Sequence, residues 1–189
     1  MNPDEVLRSI EAIAPSQGLP IIGPVRGALL DEVVMKEKPK RILEVGTLVG
    51  YSAIRMGRLL PRGGRITCVE MDERIAKVAA SNIQKAGLED RIEILLGDAK
   101  RVIPTLKGEL DLVFIDAEKS EYLTYLKGCE RLLHKGSIVV ADNVKAFAEK
   151  VADYLDYVRN SGSYTSTYRE SSLDIGTSVT DAVEISVKK

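Results

Sequence analysis

Five short apolar runs, each followed by a helical pattern, constrain this chain more than any other feature of its sequence. They occupy residues 41–46 (RILEVG), 65–70 (RITCVE), 92–98 (IEILLGD), 110–117 (LDLVFIDA) and 136–143 (GSIVVADN). Each has strand length and is rich in Val, Ile or Leu. The runs are near-continuously apolar, which calls for cover on both faces, as in a parallel sheet. Helical patterns follow at 50–60, 72–86, 99–106, 120–133 and 144–160. In the second of these, Asp72 is placed as an N-cap and Gly87 as the C′ glycine.

Strand–helix alternation of this kind predicts a doubly wound α/β fold. The tail changes character: 163–169 (SYTSTYR) and 182–188 (AVEISVK) have strand composition with no good helix between them. They are expected to close the sheet edge as an antiparallel hairpin. Two helices, at about 3–13 and 20–36, precede the first strand. The expected fold is therefore Rossmann-like, with a seven-stranded, mostly parallel sheet. At 189 residues, the chain is expected to form one domain over 1–189, with 1–37 supplying helices that cover the active site or make a dimer contact.

Composition narrows the function by exclusion. The formal net charge of −1 gives no global basic field for nucleic acid or an anionic membrane. A local basic patch around Arg26 and 36–41 leaves a nucleic-acid partner open. Cys68 and Cys129 are the only cysteines, and neither sits in a CxxC or zinc-type cluster, so a reducing cytoplasm is the expected setting. The N-terminus is acidic and amphipathic, unlike a signal peptide. No apolar stretch reaches the roughly 18 residues of a membrane span.

In open α/β sheets, ligands bind beyond the carboxyl ends of the strands. The first run ends in Glu44-Val45-Gly46-Thr47-Leu48-Val49-Gly50-Tyr51-Ser52. Gly46 permits a tight turn and close approach of a ligand, and Gly50 opens the next helix. The spacing is not GxGxxG, so a dinucleotide pyrophosphate is a poor match. Glu70 ends the second run, where a carboxylate can accept from both ribose hydroxyls. Asp98 ends the third, within reach of an adenine amino group; its competing reading is a helix N-cap. Acidic Glu44, Glu70 and Asp98 around a glycine loop suit a cationic, phosphate-free ligand, such as a sulfonium nucleoside.

The fourth run ends at Asp116 and the fifth at Asp142-Asn143. If these strands are neighbours, about 4.8 Å apart, two carboxylates and an amide oxygen converge. Unrelieved, one of the two carboxylates should take up a proton. A hard dication removes the conflict, and an all-oxygen set points to Mg²⁺, with Mn²⁺ or Ca²⁺ as substitutes. Successive strand residues face opposite ways, so Asp142 and Asn143 can share an ion only if the chain bends there. A helix cap is the alternative for either.

Taken together, ILEVGTLVGYSAI, CVEMD, GDA, FIDAEKSEY and VVADNV resemble the cation-dependent O-methyltransferases, a class I family that includes catechol and caffeoyl-coenzyme A O-methyltransferases. The likeness runs in order from about Ile21 to Val144, with the terminal EISVK strand. It implies that S-adenosylmethionine (SAM) is lined by Ile22, Glu44, Gly46, Gly50, Tyr51, Ser52, Glu70, Met71, Asp98, Ala99 and Asp116. It implies that Asp116, Asp142 and Asn143 hold the cation, and that Lys119 is the catalytic lysine, taking a proton or stabilising an anion. The implied acceptor is a small hydroxylated, catechol-like aromatic, and the implied assembly a homodimer. Some relatives methylate a hydroxylated uridine in transfer RNA, which is the alternative enzyme reading. A nucleotide-binding oxidoreductase or a non-catalytic sensor is disfavoured by the missing GxGxxG and by the retained Lys119 and oxygen ligands. The chain also departs from the family. Near the glutamate of catechol-type members it has only Asp174, and it is short where plant-type members hold the coenzyme A thioester.

Three further features read as structural. His134, in LLHKG, is expected at a helix C-terminus. Tyr154 and Tyr157 are expected to pack on one helix face. Arg26 reads as a solvated helix charge or a residue near the substrate entrance.

Overall fold

The computed structural model describes residues 1–172 and 179–189. All five apolar runs become parallel strands: β1 (Arg41–Val45), β2 (Arg65–Glu70), β3 (Ile92–Leu96), β4 (Leu110–Ile115) and β5 (Leu133–Ala141). The tail adds β6 (Tyr164–Ser172) and β7 (Thr180–Lys188), antiparallel to each other, with β7 antiparallel to β5. The seven-stranded sheet has the order β3-β2-β1-β4-β5-β7-β6. The second tail strand thus inserts beside β5 and leaves β6 at the edge. Strand order reverses between β1 and β4, the kind of switch point at which open sheets bind ligands.

Alternate side chains of the strands face opposite layers. Ile42, Ile66, Leu112, Phe114 and Val140 pack under α1 (Pro3–Gln17), α2 (Gly23–Glu37), α3 (Tyr51–Gly57) and α4 (Glu73–Lys85). Leu43, Val45, Val113, Ile115 and Val139 pack under α6 (Tyr122–Cys129) and α7 (Ala152–Asn160), with the short α5 (Ala99–Val102) alongside. Cys68 and Cys129 are free and buried, one in each layer. No helix among the described residues is long and apolar enough to cross a membrane.

Local chemistry sets the helix ends. Asp72 caps α4 by accepting from Arg74 N and Ile75 N, and Gly87 follows with φ +67°. Asn2 and Glu5 form a capping box on α1. The helix expected over 144–160 begins only at Ala152. Residues 145–150 are exposed and form turns, so they present no apolar face whose burial could stabilise a helix. The pattern at 120–133 is helical to Leu132, α6 being extended by a 3-10 turn at Glu130–Leu132; β5 starts at Leu133, which places His134 in the strand just past the helix end. There its ring bonds Asp111 (3.0 Å) and the Lys135 carbonyl (2.8 Å). Tyr154 and Tyr157 do pack: Tyr154 is fully buried edge-on to Tyr122, and Tyr157 lies edge-on to Tyr164.

An ionic cluster ties the N-terminal helices to α3. Asp31 of α2 accepts from both Arg55 (Nη2, 2.5 Å) and Arg58 (Nη2, 2.6 Å). The Tyr51 hydroxyl donates to Glu11 of α1 and accepts from Arg55 Nη1 at 3.0 Å. Removing one partner of a buried pair strands the other charge. Asp31→Ala is therefore expected to lower unfolding stability by roughly 3–5 kcal/mol in urea titration; a loss well below 1 kcal/mol would contradict this role.

Candidate active site

Parallel registry places the candidate site residues in one row. Val45 pairs with both Val69 and Ile115, and Ile115 with Ala141. The ladder continues one step past each strand: Gly46 N donates to Val69 O (3.0 Å), Asp116 N to Val45 O (2.9 Å) and Asp142 N to Ile115 O (3.1 Å). Gly46, Asp116 and Asp142 thus stand side by side at the carboxyl edge of the sheet. Gly46 has φ +89°, and a Cβ there would collide with the Asp116 carbonyl. Only glycine lets the first loop lie this close to the fourth strand end.

The glycine loop is held by carboxylates. Glu70 Oε2 accepts from Thr47 N (3.3 Å) and Leu48 N (3.1 Å), and its Oε1 from Met71 N (2.8 Å) and Asp72 N (3.0 Å). Glu44 is fully buried behind the loop and accepts from Ser52 Oγ (2.5 Å) and Thr47 Oγ1 (3.0 Å). Burial pushes its carboxyl from 4.5 up to about 7, although the Ser52, Cys68 and Thr47 hydrogen bonds pull the other way. Gly50, at φ +83°, opens α3. Asp98 N-caps α5 through Lys100 N (2.9 Å), with Ala99 buried behind it. Ile22 is buried at the start of α2, whereas Met71 is 74% exposed beside Glu70. The Tyr51 side chain is committed to Glu11 and Arg55. An apolar hollow of about 330 Å³ beyond the loop, lined by Ile10, Ile13, Val49 and Val78 among others, contains none of these residues.

At the β4 and β5 ends the chemistry is more acute. Asp142 is 1% exposed, and neither of its carboxylate oxygens has a hydrogen-bond partner. Burial first, then the Asp116 carboxylate, pushes its pKa up, against the opposing pull of Arg26. Asn143 makes the bend that shared ligation demands, with φ +60°, a left-handed conformation that asparagine tolerates. Among the described residues no three His, Cys, Asp or Glu side chains form a metal cluster; here the third candidate donor is an amide. Lys119 Nζ donates to Asp116 Oδ1 (2.6 Å) and to the Tyr122 hydroxyl (2.9 Å), and the Tyr122 hydroxyl donates to Asp142 O (3.0 Å). The ammonium lies 5.3 Å from the Tyr122 ring centre and 5.7 Å from that of Phe147. Lys119 is therefore fixed on the Asp116 carboxylate and not a freely solvated helix lysine.

Arg26 is not solvated either. It is 4% exposed, with Nη1 2.9 Å from Asp181 Oδ2 and Nε 3.5 Å from Asp142 Oδ1. Tyr122, Phe147 and Asp181 escaped the sequence reading. For Asp181 a signal existed, an acidic residue opening an apolar strand, but nothing local assigned its partner. Asp174 lies outside the described residues.

Known proteins match this arrangement. The profile of the O-methyltransferase family matches residues 6–164. Catechol O-methyltransferase B of Danio rerio is 41% identical over 88% of this chain and 64% of its own length. Catechol O-methyltransferase of Mus musculus is 36% identical over 92% of this chain and 68% of its own. The crystal structure of the O-methyltransferase TomG from Streptomyces achromogenes, in complex with SAM, superposes with a TM-score of 0.86 at 28% identity, covering 98% of this chain and 90% of that one. This chain therefore belongs to the O-methyltransferase family. It spans just under two thirds of the zebrafish relative's length.

The buried Glu44 carboxyl has a pH signature. Between about 4.5 and about 7 the folded chain keeps a proton that the unfolded chain has released. The unfolded state binds fewer protons there, so stability falls as pH rises through that window and this contribution levels off above it. Glu44→Gln is expected to flatten the decline in unfolding free energy between pH 5 and pH 8 for the ligand-free protein. Some slope remains, because Asp142 is shifted in the same direction. Superimposable pH profiles for the two proteins would contradict the assignment.

Proposed function

We propose that this chain transfers a methyl group from SAM to a hydroxyl of a small, catechol-like aromatic acceptor, with a divalent cation, Mg²⁺ first, held by Asp116, Asp142 and Asn143. One observation carries the reading. A carboxylate buried to 1% exposure, with no hydrogen bond to either oxygen and only the Arg26 guanidinium 3.5 Å from Oδ1, stands beside a second carboxylate at the next strand end. Such a group is costly unless something cationic completes it. Two carboxylates and an amide oxygen match the preference of a hard dication. That relatives at 36–41% identity are named catechol O-methyltransferases supports the acceptor class.

When bound there, the cation supplies charge neutralisation and lowers the pKa of a hydroxyl beside it. The protein's own groups do the rest. Asp116 and Asp142, fixed by sheet registry, hold the acceptor end of the site against the glycine loop. Lys119, anchored by Asp116 and Tyr122, either takes the hydroxyl proton at Nζ or, keeping its own, pairs with the oxygen anion. Phe147, 40% exposed beside Lys119, offers an apolar wall for an aromatic ring. On the nucleoside side, a ribose would displace the two longer contacts of Glu70, those from Leu48 N and Thr47 N. Glu70 and Asp98 supply negative charge for a sulfonium ligand, with Glu44 bracing the loop from behind through Ser52 and Thr47. Holding two reactants in line across one sheet edge removes much of the entropic barrier of a bimolecular transfer.

Methyl transfer from SAM to catechol, followed by product chromatography, is expected to stop on chelation and to return with Mg²⁺. Lys119→Met is expected to reduce kcat by about 10²–10⁴-fold with SAM affinity unchanged. Full activity in excess chelator would overturn the cation-assisted reading.

A further inference from the structure

Asp181 has no role in the chemistry just described, yet it is the most heavily engaged side chain at the site. It is 1% exposed and sits at the start of β7, brought beside the β5 end by strand pairing. Its Oδ2 accepts from Asn143 Nδ2 (2.8 Å) and Arg26 Nη1 (2.9 Å). Its Oδ1 accepts from the backbone amides of Ala182 (2.8 Å), Ala146 (3.0 Å) and Lys145 (3.2 Å). One carboxylate thus holds both the turn after Asn143 and the asparagine side chain itself.

The pairing with Asn143 has a directional consequence. A side-chain amide carries a donor end and an acceptor end of nearly the same shape, and only its partners decide which way it points. An ionised carboxylate can only accept. Asp181 therefore claims the NH₂ end and leaves Oδ1 turned away from itself. A cation needs the oxygen, and an inverted amide would present two N–H donors to it. Arg26, buried between Asp181 and Asp142, balances the charge that makes the selection.

We propose that Asp181, with Arg26 as its counter-ion, is a positioning residue that fixes which end of the Asn143 amide faces the cation site and thereby sets cation affinity. This rests on the cation reading above. Outer groups that orient a ligand change metal affinity by about 10–100-fold when removed. Asp181→Asn keeps the shape but can donate to Asn143 and stabilise the inverted amide.

The test is Mn²⁺ binding to the full chain, followed by the loss of the free-ion electron paramagnetic resonance signal. Wild type, Asp181→Asn, Asn143→Gly and the double variant are compared; glycine removes the amide without straining φ +60°. Asp181→Asn is expected to weaken Mn²⁺ binding about 10-fold or more in the wild-type background and less than about 2-fold in the Asn143→Gly background, since coupled sites are non-additive. Equal effects in both backgrounds, or no effect in either, would overturn the proposal while the cation reading stands. Wild type that fails to bind Mn²⁺ would remove both. Should Asp181→Asn not fold, wild type labelled with ¹⁵N-asparagine still decides. Of its four asparagines, Asn143 is expected to show a side-chain NH₂ protected from water exchange with and without diamagnetic Mg²⁺; a rapidly exchanging signal would overturn the assignment.

Discussion

Two carboxylates at adjacent ends of a parallel sheet, one of them sealed from water, are the constraint around which this structure is arranged. The Ile115–Ala141 pairing sets Asp116 and Asp142 side by side, and burial of Asp142 forbids the usual escape through hydration. Two like charges in such a place repel, and the folded chain meets that repulsion with fixed cations: Lys119 on Asp116, Arg26 near Asp142. Neither cation satisfies the Asp142 oxygens by hydrogen bonding. A divalent cation, as proposed above, would complete that set.

The rest of the fold serves that row. Gly46 must lack a side chain so that the first loop can lie against Asp116, and Glu70 gathers the loop amides that shape it. The N-terminal helices carry Arg26 into the site and are locked to α3 through Asp31, Arg55 and Arg58. Stability and the geometry of this row are therefore linked through long-range contacts: the Arg26–Asp181 pair joins residues 155 apart in sequence.

Much of this was legible in the residues. Continuous Val, Ile and Leu runs marked the strands because buried parallel strands leave no polar face, and the position just past each run located Glu70, Asp98, Asp116 and Asp142. Strand alternation makes a bend the condition for Asp142 and Asn143 to share an ion, and Asn143 does bend, with φ +60°. Local pattern failed where the deciding contact was distant. The start of β5 at Leu133-His134-Lys135 has a single apolar residue, and it is the pairing of Leu133 with Leu110 that puts it in the sheet. The helix expected from 144 gives way to turns because 145–150 are exposed, and Asp181 holds the amides of 145 and 146. Arg26 reads from sequence as either an entrance residue or a solvated charge because its partners, Asp142 and Asp181, lie far along the chain.

The central claim is geometric: side-chain oxygens of Asp116, Asp142 and Asn143 converge on one cation. Anomalous diffraction from a crystal of this chain soaked in Mn²⁺ tests it most directly. The account predicts a strong manganese peak bonded to oxygens of all three side chains. A crystal with no such peak there, or with manganese bound elsewhere while these groups stay apart, would contradict it.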